Sequence, residues 1–210
     1  AYIFDLNGTQ IAKIVASDAA VSDYFGSSVA VGNGRIVVGA YYKNYGAGAA
    51  YIFDLDGTQI AKITVSDAGS FGNFGGSVAV GNGIIVVSAT GGNNYAGCAY
   101  IFDLDGTRKT KIVASDAASN DQLGSSVAVG NGRIVVGAKY SMGYKGSAYI
   151  FDLDGTQIAK IIPTAAVMGN TFGGSVAVDS GRIVVGAGGG GKGSAYIFDL
   201  DGTQIAKIFA

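Results

Sequence analysis

The sequence predicts an all-β chain: a β-propeller of four-stranded antiparallel blades, with four full repeats of about 49 residues and an N-terminal half blade. Three observations carry this. Phe25-Gly26, Phe74-Gly75, Leu123-Gly124 and Phe172-Gly173 recur at a constant step of 49 residues. Nine turn dipeptides ending in glycine punctuate short runs of Val, Ile, Tyr and Phe. The runs "SVAV", "RIVVGA" and "AYIF" are apolar at successive positions, so both faces are expected to be covered, as neighbouring blades cover each other.

Four strands are expected in the first full unit: Ser28 to Gly32, Arg35 to Ala40, Ala50 to Leu55 and Thr58 to Val65. Asn33-Gly34, Asn82-Gly83 and Asn131-Gly132 join the first pair, with Ser180-Gly181 as the variant; Asn-Gly readily takes the two positive φ values of a type I′ turn. Asp56-Gly57, Asp105-Gly106, Asp154-Gly155 and Asp201-Gly202, with Asn7-Gly8 at the start, are expected to turn the second pair by the same chemistry. The fourth strand, "TQIAKI", alternates Gln59 and Lys62 with Ile60 and Ile63, as a half-wet outer edge guarded by lysine would. A β-solenoid usually has shorter coils, and a sandwich does not need so accurate a repeat.

The units run 1–15 (half blade, third and fourth strands), 16–64, 65–113, 114–162 and 163–210, together one repeat domain. Five copies of the Tyr-to-Ile hairpin accompany four of the Val-rich hairpin, so the first hairpin is expected to pair with another copy or with further sequence. The chain opens on Ala1, as a processed chain or a segment of a longer one does.

Composition narrows the functions. With 49% hydrophobic and 14% charged residues, 210 residues can build a sizeable core. The 14 basic and 15 acidic side chains leave a net charge of -1, so no field draws the chain to nucleic acid, and no apolar run is long enough to insert in a membrane as a helix. There is no histidine and no tryptophan, which removes the commonest general base and metal ligand and leaves 12 tyrosines for aromatic contacts. Cys98 replaces Ala49, Ser147 and Ser194 of the other copies and reads as a small buried residue.

"YFGSSVAVGNGRIVVGA" followed by "GAAYIFDLDG" resembles the FG-GAP repeat, the blade unit of the integrin alpha subunit propeller and of many bacterial and viral surface proteins. Phe25-Gly26 fits the FG element and Gly39-Ala40 the GA of the GAP element, with Tyr41 in place of the usual proline; Leu123 and Ser88 are milder departures. The resemblance implies an extracellular, cell-surface or virus-particle location. Calcium, which blades of the family often bind between their first two strands, does not carry over: that connection is reduced to Asn-Gly here, so no cofactor and no metal are expected.

No catalytic constellation stands out. Asp54 and Asp56 read as turn residues, with Asp54 meeting nearby backbone amides, and Asp18, Asp67 and Asp116 of the "SDA" segments as turn or cap residues, with Ala165 in the fourth copy. Arg35, Arg133 and Arg182 read as surface pairing groups, and "GGGGKG" at Gly188 to Gly193 as a connector, since no helix follows it to make a phosphate loop. The copies diverge most in the connector between the second and third strands, where Tyr41, Tyr42, Tyr45, Tyr95, Tyr140 and Tyr144 offer amphipathic contact groups. These tyrosines are the candidate binding residues; covering neighbouring blades is their alternative role. The reading that results is a non-catalytic surface module for adhesion or structural assembly through blade loops and exposed strand edges, its partners being other copies of itself, a larger surface or virion assembly, or a protein or glycan ligand. A lectin-like propeller binding glycans through loop tyrosines is the alternative, and a glycoside or ester hydrolase the more distant one.

Overall fold

The computed structural model describes residues 1–69, 71–164, 167–189 and 191–209. Ala165, Gly190 of the fourth connector and Ala210, the last residue of the fourth unit, lie outside the described residues. The half blade is a two-stranded antiparallel sheet of β1 (Tyr2–Phe4) and β2 (Gln10–Lys13). Four four-stranded antiparallel blades follow. Blade 1 comprises β3 (Ser28–Gly32), β4 (Arg35–Ala40), β5 (Ala49–Phe53) and β6 (Gln59–Ile63). Blade 2 comprises β7 (Phe74–Gly81), β8 (Ile84–Ala89), β9 (Cys98–Asp103) and β10 (Arg108–Ile112). Blade 3 comprises β11 (Leu123–Gly130), β12 (Arg133–Ala138), β13 (Ser147–Phe151) and β14 (Gln157–Ile161). Blade 4 comprises β15 (Phe172–Asp179), β16 (Arg182–Ala187), β17 (Ser194–Phe198) and β18 (Gln204–Phe209). Strands pair in chain order, and the first strands of successive blades pack on one another, β3 on β7, β7 on β11 and β11 on β15, which makes them the innermost. This is the propeller architecture.

The two turns differ in kind. Asn33-Gly34 has φ of 50° and 72°, and Ser180-Gly181 48° and 74°, so the first pair closes by the expected type I′ turn with Gly32 opposite Arg35. The Asp-Gly turns depart from that expectation. Only the glycine is left-handed (Gly57 φ 90°), the Gly57 amide donates to Asp54 O at 3.2 Å and the Asp54 amide to Thr58 O at 3.0 Å. That is a type I turn over Leu55 and Asp56 followed by a glycine bulge, which shifts the register between Ile52 and Phe53 and leaves Leu55 in the turn, not in β5. Asp105-Gly106 and Asp154-Gly155 repeat it.

The core lies in the seams between blades. Side chains of β4 and β5 alternate, so that Val38, Tyr51 and Phe53 meet Ile3 and Ile14 of the half blade while Val37, Ile52 and Ile63 meet Phe74, Val87 and Tyr100 of blade 2. The same alternation joins blade 2 to 3 and blade 3 to 4. The Phe-Gly element now has a physical role. Phe74 sits edge-on to Tyr100 and Phe102, with ring centroids 5.7 and 6.0 Å apart, and Gly75, at φ 91°, makes the bulge that lets β7 begin there. Small residues opposite allow the approach: a side chain at Gly39 would collide with the Gly75 carbonyl, and one at Gly48 with the Phe74 backbone, where the two blades form a parallel bridge.

Cys98 is buried in the seam between blades 1 and 2, and burial pushes its thiol above the usual range.

Candidate functional site

Hydrolytic chemistry by paired carboxylates would need acidic side chains free to reach a substrate. Asp18 accepts from the buried Tyr51 hydroxyl at 2.7 Å and from Lys62 at 2.7 Å. Asp67 accepts from Tyr100 at 3.1 Å and receives both Arg108 Nη groups at 3.0 Å; Asp116 accepts from Tyr149 at 2.9 Å and Lys160 at 2.6 Å. Lys111 also reaches Asp67 at 3.4 Å, and Lys62, Lys111 and Lys160 lie over the rings of Tyr51, Tyr100 and Tyr149, at 5.9, 5.4 and 5.3 Å from the centroid. The "SDA" aspartates are therefore more than the turn or cap residues expected: they satisfy a hydroxyl that the seam has taken out of water. Hydrogen bonds from Lys62 and Tyr51 hold Asp18 at about 2, and the Arg108 bond does the same for Asp67, while burial raises both tyrosines. In blade 4 the matching Tyr196 hydroxyl is buried without a partner among the described residues.

Asp54 Oδ1 accepts from the amides of Asp56 and Thr58 at 3.1 and 2.8 Å, and Asp5, Asp152 and Asp199 do likewise. Among the described residues no group of three His, Cys, Asp or Glu gathers as metal ligands would. Arg35 and Arg133 do more than pair at the surface: their Nε atoms cross to the next blade and donate to Leu104 O at 3.1 Å and Leu200 O at 3.2 Å, and Arg133 Nη2 also pairs with the exposed Asp201 at 3.6 Å. Among the described residues Arg182 reaches Gly181 O, in its own turn.

What remains uncommitted is the connector face. The connectors between second and third strands form short helical turns, α1 (Lys43–Gly46), α2 (Gly92–Tyr95) and α3 (Ser141–Tyr144), that are left-handed inside. Asn44 has φ 52° and ψ 52°, and Tyr45 58° and 39°; Tyr95 and Tyr144 have φ of 61° and 67°. Left-handed backbone costs an L-residue about 1–2 kcal/mol, so packing and inter-blade hydrogen bonds such as Asn73 N to Gly46 O at 2.8 Å hold these tyrosines in place.

Tyr42, Tyr45, Tyr95 and Tyr144 are exposed, whereas Tyr41 and Tyr140 are half-buried. Tyr41 stacks on Tyr24 at 5.3 Å, Tyr24 meets Tyr42 edge-on at 5.7 Å, and Tyr140 packs on Tyr144 at 5.2 Å. Tyr24, also left-handed, joins the sequence-predicted tyrosines; its signal is the varied position just before each Phe-Gly element, filled by Tyr24, Asn73, Gln122 and Thr171, all left-handed. Two such residues, Asn73 and Gln122, line a cavity of about 210 Å³ with Tyr41, Thr90 and Lys139, which are themselves one repeat position taken from three successive blades. The turn residues Asn33, Gly34, Asn82, Gly83, Asn131, Gly132, Asp56, Gly57, Asp105, Gly106, Asp154 and Gly155 all lie in turns between strands.

Comparison with known proteins agrees with this geometry. The model of the FG-GAP repeat matches residues 9–53, 58–102, 107–151 and 156–198. The chain belongs to the FG-GAP repeat family. Each match begins at an outer strand and runs through the following blade to its third strand, so the family unit is offset from the blade as folded. No curated protein matches. Among solved structures, the crystal structure of the computationally designed Ika4 protein is similar at 16% identity and a TM-score of 0.58, over 90% of this chain and 98% of that one, a likeness of fold alone. No helix among the described residues of this FG-GAP repeat protein is long and apolar enough to cross a membrane.

Proposed function

We propose that the chain is a non-catalytic FG-GAP module that serves adhesion or structural assembly at an extracellular surface or on a virus particle, through its connector face and its exposed strand edges, without cofactor or metal. One observation carries the reading: three successive connectors hold an exposed tyrosine in a left-handed turn, on a scaffold whose recurring aspartates are engaged in clamps and turns. Strained backbone retained at a diverging surface is where recognition is placed on a repeated frame. Rigid tyrosines bury large amphipathic area at little entropic loss.

A glycan ligand is the second reading, favoured by the Tyr24–Tyr41–Tyr42 cluster beside the amides of Asn73 and Gln122. Beads coated with the protein and passed over protein-, cell- and glycan-coated surfaces test both. Retention that the triple substitution Tyr45→Ser, Tyr95→Ser, Tyr144→Ser lowers at least about tenfold, with unchanged melting, supports adhesion. Retention confined to glycan surfaces selects the second reading. No retention on any surface, or turnover of glycoside or ester substrates, contradicts the proposal.

A further inference from the structure

The tyrosine clamp is complete in blades 1 to 3, and blade 4 carries the same frame with one group changed. In the first three an aspartate of the incoming loop, Asp18, Asp67 or Asp116, lies between a buried tyrosine hydroxyl and a cation of the outer strand. The fourth loop has Ala165 in the sequence place of Asp116. An aspartate is an alanine bearing a carboxylate on its methyl group, so what the fourth copy omits is a single carboxylate.

The donors that would hold it are in place. Tyr196 is wholly buried and sits edge-on to Phe172 at 5.4 Å, as Tyr100 does to Phe74 at 5.7 Å, and its hydroxyl has no hydrogen-bond partner among the described residues. Lys207 Nζ lies 5.0 Å from the centre of the Tyr196 ring, as Lys160 Nζ lies 5.3 Å from that of Tyr149. The loop is tied down in the same way. Gln157 Oε1 accepts the amide of Ser115, the residue before Asp116, at 2.9 Å, and Gln204 Oε1 accepts the amide and hydroxyl of Thr164, the residue before Ala165, each at 3.4 Å. Both walls of this seam belong to complete blades, 3 and 4. In the three filled clamps the aspartate side chains are 42%, 42% and 48% exposed, so a carboxylate in this position meets solvent on one side and the tyrosine hydroxyl on the other.

We propose that Tyr196 and Lys207 form a binding site for a carboxylate anion, supplied as a free small acid or by the aspartate side chain of a partner. Tyr196 Oη donates to one carboxylate oxygen, as Tyr149 Oη does to Asp116 Oδ1 at 2.9 Å, and Lys207 Nζ donates to the other, as Lys160 Nζ does to Asp116 Oδ2 at 2.6 Å. A hydroxyl taken out of water without an acceptor is the costly half of a hydrogen bond, and a carboxylate completes it. Two donors from different strands, each taking one oxygen, favour a planar two-oxygen anion over a spherical one. The inference goes beyond the proposed function and uses none of the connector tyrosines.

The test uses the full chain, isotope-labelled at the tyrosine ring carbon that bears the hydroxyl and titrated by NMR with sodium acetate in place of sodium chloride at constant ionic strength. One resonance, the one that Tyr196→Phe deletes, is expected to shift saturably with acetate, and the melting temperature to rise with it. Lys207→Met weakens acetate binding at least about tenfold. Ala165→Asp, which restores the carboxylate of the other copies, raises the melting temperature in chloride and removes the acetate response. Asp116→Ala creates a second site, so that Tyr149 responds to acetate as Tyr196 does. N-acetyl-aspartate methylamide titrated beside acetate separates the sources: tighter binding assigns the site to a partner's aspartate, equal or weaker binding to a free acid. No shift of Tyr196 with either carboxylate, an equal shift with chloride, as an adventitious anion gives, or an acetate response that survives Ala165→Asp would each overturn the proposal. The tyrosine substitutions in the connectors leave acetate binding unchanged, so adhesion and carboxylate capture fail independently.

Discussion

Five copies of "AYIF" occupy two kinds of place. In blades 1 to 4 the tyrosine and phenylalanine of the motif, from Tyr51 and Phe53 to Tyr196 and Phe198, are enclosed against the unit before them, while Tyr2 and Phe4 in the half blade stand open. Blade 4 shows the converse on its far face. Val184 and Ile208 are exposed there, although their counterparts Val37 and Ile63, three blades earlier, are buried. Identical segments thus differ only in what lies beside them: burial here belongs to neighbouring blades, as in any array whose units cannot cover their own faces.

The comparison is sharpest when the same substitution is made at a seam and at an open end. Phe102→Ala removes a ring from the seam of blades 1 and 2 and is expected to destabilise by about 3–5 kcal/mol in urea unfolding, while Phe4→Ala changes stability by less than about 1 kcal/mol. A similar loss from both would show that the half blade is as tightly held as the rest. Next in size, Gly39→Ala drives a methyl into the Gly75 carbonyl and is expected to lose about 1–3 kcal/mol. Gly186→Ala, the same place in blade 4, meets only Ser175 of its own blade, whose hydroxyl can rotate away, and is expected to be tolerated.

The tyrosine clamps give a smaller contrast. Tyr51→Phe strips Asp18 of a donor and should cost about 1–2 kcal/mol. Tyr196→Phe removes a buried hydroxyl that has no partner among the described residues and is expected to be neutral or mildly stabilising. A loss at Tyr196 equal to that at Tyr51 would contradict the clamp account.

The same aspartates set the acid limit. Asp18 and Asp67 titrate at about 2 in the folded chain, below the range of about 3.9 for a free aspartate. Folded values below unfolded ones mean that the clamp contribution is whole above about pH 4 and is lost as pH falls towards 2. Melting temperature across pH 2 to 7 checks this, and Asp18→Asn should flatten part of the acid limb. Smallest of all, Tyr45→Gly relieves a left-handed residue and is expected to be stability-neutral or to gain up to about 1 kcal/mol, while weakening adhesion.

Much of this frame was legible in the residues. The constant step between Phe-Gly elements, the Asn-Gly turns and strands apolar at successive positions lead directly to stacked four-stranded blades, because each is a local or strictly periodic signal. The Asp-Gly turns were harder, since aspartate before glycine suits both a type I′ turn and a type I turn with a bulge, and only the register of Ile52 and Phe53 separates them. The clamp roles of Asp18, Asp67 and Asp116 link groups 33 residues apart and become visible only when the seam buries the tyrosine. The backbone acceptors of Arg35 and Arg133 are hidden from the sequence for the same reason, since they lie in the next blade. Left-handed connectors built from Asn44, Tyr45 and Met142 have no strong local signature, because tertiary contacts, not intrinsic preference, hold them.

Native-state hydrogen exchange on the "AYIF" segments tests the central claim most directly. The account predicts that amides of Ile52, Ile101 and Ile150, each flanked by two packed faces, exchange only through global unfolding, and that those of Tyr2 to Phe4 exchange orders of magnitude faster through local opening. Equal protection of all five segments would contradict it.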